Sequence, residues 1–157
     1  MVPSSQDSDR RYSFDEASAM LPWLRRVVGD MVRLAAVIGV RRPLLEGLSK
    51  SISSPNLLWF SEEVEASRAA LNADSEQLRV YVSELSMAGI RVRNLGEGLL
   101  EIPGLRGGRG VVFSWCHGEP EIAYWREENE DPTLRRPWDP ATRNRLSVSA
   151  RPAIESS

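Results

Sequence analysis

From Phe14 onward the apolar residues recur at alternating intervals of three and four. They are Phe14, Ala17, Leu21, Leu24, Val28, Met31, Ala35, Ile38 and Leu45, interrupted once by Arg42. That spacing lays them along one stripe of a helix, and a stripe this long has to be covered by something. Trp23, Val27 and Leu34 widen it, as a helix with more than one neighbour requires. A second stripe runs through Leu57, Phe60, Val64, Leu71, Leu78, Tyr81, Leu85 and Ala88, with Ser67 and Asp74 at its polar positions. The intervening residues 49–56 have the length and the Ser/Pro/Asn content of a turn between antiparallel helices. The two stripes therefore predict a long antiparallel helical hairpin.

The ends of these helices are marked as well. Ser13-Phe14-Asp15-Glu16 matches a capping box, and Gly89 suits a helix C-cap. Pro22 predicts a kink or restart, and Pro43 threatens a second break. Folding the hairpin through 49–56 brings together residues whose numbers sum to roughly 105, which sets Arg42 near Glu63 and Asp74 near Met31.

After Gly89 the period shortens to two. Ile90–Leu95, Leu100–Ile102, Val111–Cys116 and Ile122–Arg126 read as strands, joined by short connections that imply antiparallel pairing. The glycine-rich run 104–110 lacks the Lys-Ser/Thr of a phosphate loop and reads as a connection between strands. A tight turn centred on Gly118-Glu119 would pair residues summing to 237. Val111, Phe113, Trp115, Ile122, Tyr124 and Arg126 then share an apolar face, leaving Ser114, Cys116, Glu121 and Trp125 on a mixed one. The fold class is α+β: a long antiparallel helical hairpin, then a small antiparallel β-meander, with disordered termini. The expected organisation is a disordered lead over 1–12, one domain over 13–138 and a disordered tail over 139–157.

Composition narrows the function classes. A single cysteine, Cys116, excludes an internal disulfide and a multi-cysteine metal site, so no metal and no cofactor are expected. No apolar run approaches the roughly 18 residues of a membrane span. The first residues lack the apolar centre of a signal peptide, so the expected localisation is cytoplasmic. A net charge of −2 recruits neither nucleic acid nor an anionic membrane. The basic tail with Arg135, Arg136, Arg143, Arg145 and Arg151 would bind nucleic acid only weakly.

Several short motifs coincide with those of a known family. Trp115-x-x-Gly118-Glu119, Tyr124-Trp125 and Arg136-x-Trp138 follow one another in the C-terminal half. Phe14-Asp-Glu-Ala17 with Leu21-Pro22-Trp23-Leu24, and Gly96-Glu-Gly-Leu-Leu-Glu-Ile-Pro103, precede them. Together they resemble the bacterial family catalogued as domain of unknown function 2203, over about residues 13–138. The resemblance implies a small helical and β domain with no assigned activity, substrate or cofactor. The family pattern has a cysteine where this chain has Ser114 and a histidine where it has Arg126. It also has a Gly-Arg where this chain has Arg135-Arg136.

Candidate ligand-binding residues cluster around the last hairpin: Trp125, Glu119, Glu121, Ser114 and Arg136. Carboxylates beside an aromatic wall can do acid–base work or hold a ligand, although acidic runs such as Glu127–Asp131 are usually solvated surface. Cys116-His117 is not a nucleophile–base pair, because adjacent strand residues point to opposite faces. The same alternation puts 114 and 126 on opposite faces under the 237 register. These features favour a non-catalytic binding or accessory protein that forms a homodimer through its helices, with a small-molecule or protein ligand at the β-hairpin. The alternative is a small-molecule enzyme with its site at the 114–126 hairpin and the following Arg-rich loop.

Overall fold

In the computed structural model, residues 10–51 and 58–139 are described. Among them, α1 (Phe14–Ala19), α2 (Leu21–Ser51) and α3 (Leu58–Met87) precede five strands: β1 (Arg91–Asn94), β2 (Leu99–Arg106), β3 (Arg109–Cys116), β4 (Tyr124–Glu127) and β5 (Arg136–Pro137). The strands form one antiparallel sheet in sequence order. The α+β class, the helical hairpin and the β-meander read from the sequence are all present. No helix here is long and apolar enough to cross a membrane.

Helix starts and stops follow local chemistry. Ser13 Oγ accepts from the Glu16 amide at 3.1 Å, and the Glu16 carboxylate accepts from the Ser13 amide at 3.0 Å, completing the capping box. The chain then stops at Met20 and restarts at Leu21. Pro22 thus falls in the first turn of α2, where its missing N–H costs nothing. Pro43 does not break α2. Both it and Gly39, whose carbonyl loses its partner, are exposed, so water can take up that acceptor. At the far end Gly89 adopts φ 79° and the Ile90 amide reaches back to the Leu85 carbonyl at 2.9 Å, ending α3.

The hairpin register differs from the expected one. Arg41 and Asp74 form the cross-helix ion pair, at 3.4 Å, so facing residues sum to about 115 rather than 105. Asp74 is therefore not beside Met31, which is fully buried against the sheet, and Arg42 lies well off the level of Glu63. α2 also continues as far as Ser51, into the segment read as a linker. The rest of that linker, 52–57, lies outside the described residues, as do most of the expected lead and tail. Within the lead, however, Tyr12 is built into the fold. It is buried, its hydroxyl donates to the Ala88 carbonyl at 2.7 Å, and its backbone bonds Pro103 and Leu105 at 2.9 Å.

The core lies between one face of the sheet and the near half of the hairpin. Leu100, Ile102, Phe113, Trp115, Ile122 and Trp125 meet Leu21, Leu24, Val28, Met31 and Leu85. Val27 is buried in this core, and Trp23 is half-buried against it. A smaller cluster of Ile38, Leu45, Val64 and Leu71 lies between the far halves of the helices.

Two features of the sheet depart from the reading above. First, β2 runs through Pro103-Gly104 to Arg106 and turns into β3 at Gly107-Gly108, both with positive φ, a hairpin turn only glycine makes easily. Pro103 fits because β1 has ended by then and its ring nitrogen faces an edge. Second, β3 and β4 pair Val111 with Glu127, Phe113 with Trp125 and Ser114 with Tyr124. The sum is 238, one more than the tight turn gives. A slip of one residue exchanges the faces of the whole strand. Trp125 therefore lies on the core face, 8% exposed, and Tyr124 and Arg126 lie on the outer face with Ser114.

Two glycine substitutions should have opposite signs. A Cβ at Gly104 would sit 2.4 Å from the Phe113 ring, so Gly104→Ala should destabilise by about 1–3 kcal/mol. Gly39 has no atom within 4 Å of its would-be Cβ, so Gly39→Ala should stabilise by about 0.5–1 kcal/mol. Urea unfolding midpoints of the two variants check both signs.

Candidate functional site

The outer face of the sheet carries a connected set of charges. Arg126, on β4, donates through Nη2 to the Glu101 carboxylate on β2, and both residues are buried. Its Nη1 donates to the carbonyls of Glu127, Glu128 and Glu130 at 3.1, 3.3 and 3.3 Å. One guanidinium thus joins two strands to the loop that follows β4. The other Glu101 oxygen makes no hydrogen bond, with Arg93 Nε at 3.4 Å as its ion-pair partner.

A second arginine closes the other side. Arg135 Nε donates to Ser114 Oγ at 2.8 Å, and its Nη2 donates to both Glu119 oxygens at 2.7 and 3.0 Å. Its guanidinium lies 4.1 Å from the centre of the Tyr124 ring, a cation–π contact that leaves its edge free to bond. Glu119 also accepts from the Cys116 amide at 3.3 Å, while its carbonyl accepts from the Trp115 indole at 3.1 Å. Between the two arginines is a cleft of about 320 Å³, with Glu101, Ser114, Arg93 and Thr133 in its lining.

The acidic run beyond β4 is an organised loop rather than a loose charged surface. Glu130 accepts from the Glu127 amide at 2.8 Å and from Arg136, and those hydrogen bonds, Arg136's first, hold its carboxyl below the usual range. Asp131 accepts from the Thr133 hydroxyl and amide at 2.7 and 2.8 Å, with the same effect on its carboxyl. A general acid at neutral pH needs the opposite shift.

Cys116 donates to the Glu97 carbonyl at 3.3 Å. Burial, and then the Glu119 carboxylate, push its thiol up from the ordinary value, away from the thiolate a nucleophile requires. The His117 ring meets Trp115 edge-on at 6.5 Å, on the core side and away from the thiol. Among the described residues no group of three His, Cys, Asp or Glu side chains could hold a metal ion.

The five residues singled out from the sequence separate into three places. Ser114 and Glu119 come together on Arg135. Trp125 and Arg136 lie at the opposite face, with Arg136 Cζ 5.9 Å from the Trp125 ring centre. Glu121 is exposed in the β3–β4 connection. Glu101, Arg93, Arg126 and Arg135 were missed, and the alternation within Leu99–Arg106 and Tyr124–Glu127 held the signal. Once the register is right, Glu101, Ser114 and Arg126 share one face.

The profile of a family described as "Uncharacterized conserved protein (DUF2203)" matches residues 10–138. The chain belongs to that family. No curated protein and no solved structure matches it. In this DUF2203 chain, positions 114 and 126 are diagonal neighbours on one face. The expectation that they lie on opposite faces is overturned. Here they hold a hydroxyl and a guanidinium, each already bonded within the protein.

Removing one partner of the buried pair leaves an uncompensated charge. Glu101→Leu should cost about 3–5 kcal/mol, and Glu101→Leu with Arg126→Met should recover part of it, as measured by denaturant unfolding. For the thiol, iodoacetamide should label Cys116 more slowly at pH 8 than it labels a free cysteine. Glu119→Gln removes a negative neighbour, so it should move the midpoint of the rate–pH profile down.

Proposed function

We propose that this protein is a non-catalytic binding or accessory protein that self-associates through its helical hairpin. The observation that carries this reading is the bare far half of that hairpin. Among the described residues, the sheet covers α2 only over its first half, and beyond it the helices have just each other and the four residues of the small cluster. Val40 and Leu44 are 64% and 61% exposed, and Leu48 continues the same row one turn on. A row at intervals of four is a packing ridge. Beside it lies a hollow of about 440 Å³ where α3 contributes Ala66, Ser67 and Ala70.

A ridge next to a hollow is a self-complementary surface. A two-fold axis would seat each copy's Leu44–Leu48 ridge over its partner's alanines, closing a four-helix bundle. Charge supports the same pairing. Between 33 and 50, α2 carries Arg33, Arg41, Arg42 and Lys50 against Glu46, a balance of +3. Between 62 and 76, α3 carries Glu62, Glu63, Glu65, Asp74 and Glu76 against Arg68, a balance of −4. Crossing α2 onto a partner's α3 brings opposite signs together.

The outer-face cleft supports binding over chemistry. Arg126 and Arg135 are spent on Glu101 and Glu119, the acidic loop is held ionised, and the neighbouring thiol is held protonated. The enzymatic alternative draws on one observation, the buried Glu101 oxygen beside the cleft.

Sedimentation at micromolar concentration should give about twice the 17.6 kDa chain mass. Leu44→Glu should weaken association by about 2–4 kcal/mol, the loss expected of a central apolar contact, with the thermal unfolding of the monomer unchanged. A 17.6 kDa particle for the parent chain would overturn self-association.

A further inference from the structure

A second cleft opens on the core face at the β4–β5 edge, away from both the outer-face charges and the bare helices. Trp138, just beyond β5, turns inward. Its amide donates to the Ala123 carbonyl at 2.7 Å. Its ring stacks on Phe14 at 5.0 Å and meets Phe113 and Trp125 edge-on at 5.4 and 6.3 Å. The indole Nε1 that results from this placement is buried and has no acceptor.

Arg106, at the end of β2, repeats the pattern. Its guanidinium lies 4.2 Å from the Trp125 ring centre and 5.9 Å from that of Trp138. Its Nε is also buried without an acceptor, and among the described residues Arg106 has no carboxylate partner. Arg136, opposite Trp125 in the ladder, gives its Nε and Nη2 to Glu130 and leaves Nη1 as a third donor. These groups line one cleft of about 270 Å³ together with Pro137 and Asp139.

Trp and Arg side chains donate and cannot accept. Folded proteins rarely leave buried donors unpaired, and two on side chains that line one cleft point to an acceptor that would complete them once those side chains shift to admit it. We propose that this cleft binds the oxyanion of a small molecule, a carboxylate or a phosphate, with Arg106 Nε and Trp138 Nε1 as direct donors and Arg136 at the mouth. A neutral acceptor would satisfy the indole but not the guanidinium, which among the described residues stacks on two rings and bonds no carboxylate. Asp139 is the one carboxylate among the described lining residues, and its charge at the rim favours a single oxyanion over a polyanion. The site is independent of self-association, so a monomeric protein would leave it standing.

The indole N–H resonances of the ¹⁵N-labelled full chain report the site directly. Trp138→Phe, which keeps the stack on Phe14, identifies the Trp138 signal by its loss. In the parent chain that signal should shift saturably with sodium phosphate or sodium acetate, and not with sodium chloride at equal ionic strength. Saturation by phosphate alone would assign the ligand group as tetrahedral, and by acetate alone as a carboxylate. Arg106→Lys keeps the charge and the stem over Trp125 but removes the Nε donor, and it should weaken binding about tenfold. Arg106→Met should weaken it further, with circular dichroism confirming that both variants fold. No saturable shift up to about 50 mM of either salt, or equal binding in the Arg106 variants, would overturn the proposal.

Discussion

A single guanidinium decides how the C-terminal half of this protein is arranged. Arg126 leaves β4 on the outer face of the sheet, pairs with Glu101 two strands away and donates through Nη1 to the carbonyls of Glu127, Glu128 and Glu130. That group is one of the ties that turn the chain back after β4, with the Glu130–Arg136 pair and the β4–β5 ladder. Because it does turn back, Arg135 reaches Ser114 and Glu119, Arg136 enters the ladder as β5, and Trp138 is delivered to the far face against Phe14. Planar, multidentate and always charged, arginine is the side chain that can bridge so many acceptors at once. The burial of the pair is offset by the acceptors that meet both terminal nitrogens of Arg126.

The helices were legible because their signal is redundant. Nine apolar positions on one stripe survive a single Arg42, and the capping box and Gly89 mark the ends chemically. The hairpin register was not, since it depends on where the apex falls, and α2 runs past Pro43 instead of yielding to it. The sheet failed in the same way at smaller scale. Pro103 and Gly104 look like breakers, yet one faces an edge and the other makes room for the Phe113 ring. At the last hairpin Glu119 folds back on Cys116 and Trp115, which makes the connection longer than a tight turn. One residue of difference sent Trp125 to the core and brought Arg126 beside Ser114. Period-two patterns tell which residues alternate, but the loop between them tells which set faces in.

The hairpin itself is two structures in one. Its near half is an ordinary half-core, covered by the sheet and by α1. Its far half has the composition of a packed helix pair, yet among the described residues no further element covers it and only four side chains there are buried together. The sequence repeats the same stripe throughout, so the distinction is invisible until the reach of the sheet is known.

Tyr12 has a further consequence. Beyond Glu101, β2 has no partner on its β1 side, and its backbone groups there would form an open strand edge. The Tyr12 backbone takes up the Pro103 carbonyl and the Leu105 amide, and Pro103 itself offers no N–H. Together they occupy the positions a foreign strand would need. An open edge of this kind is a template for strand addition between molecules. The strap therefore bears on solubility as well as folding: what looks like the last residue of a leader sequence keeps sheets of neighbouring molecules from growing into one another.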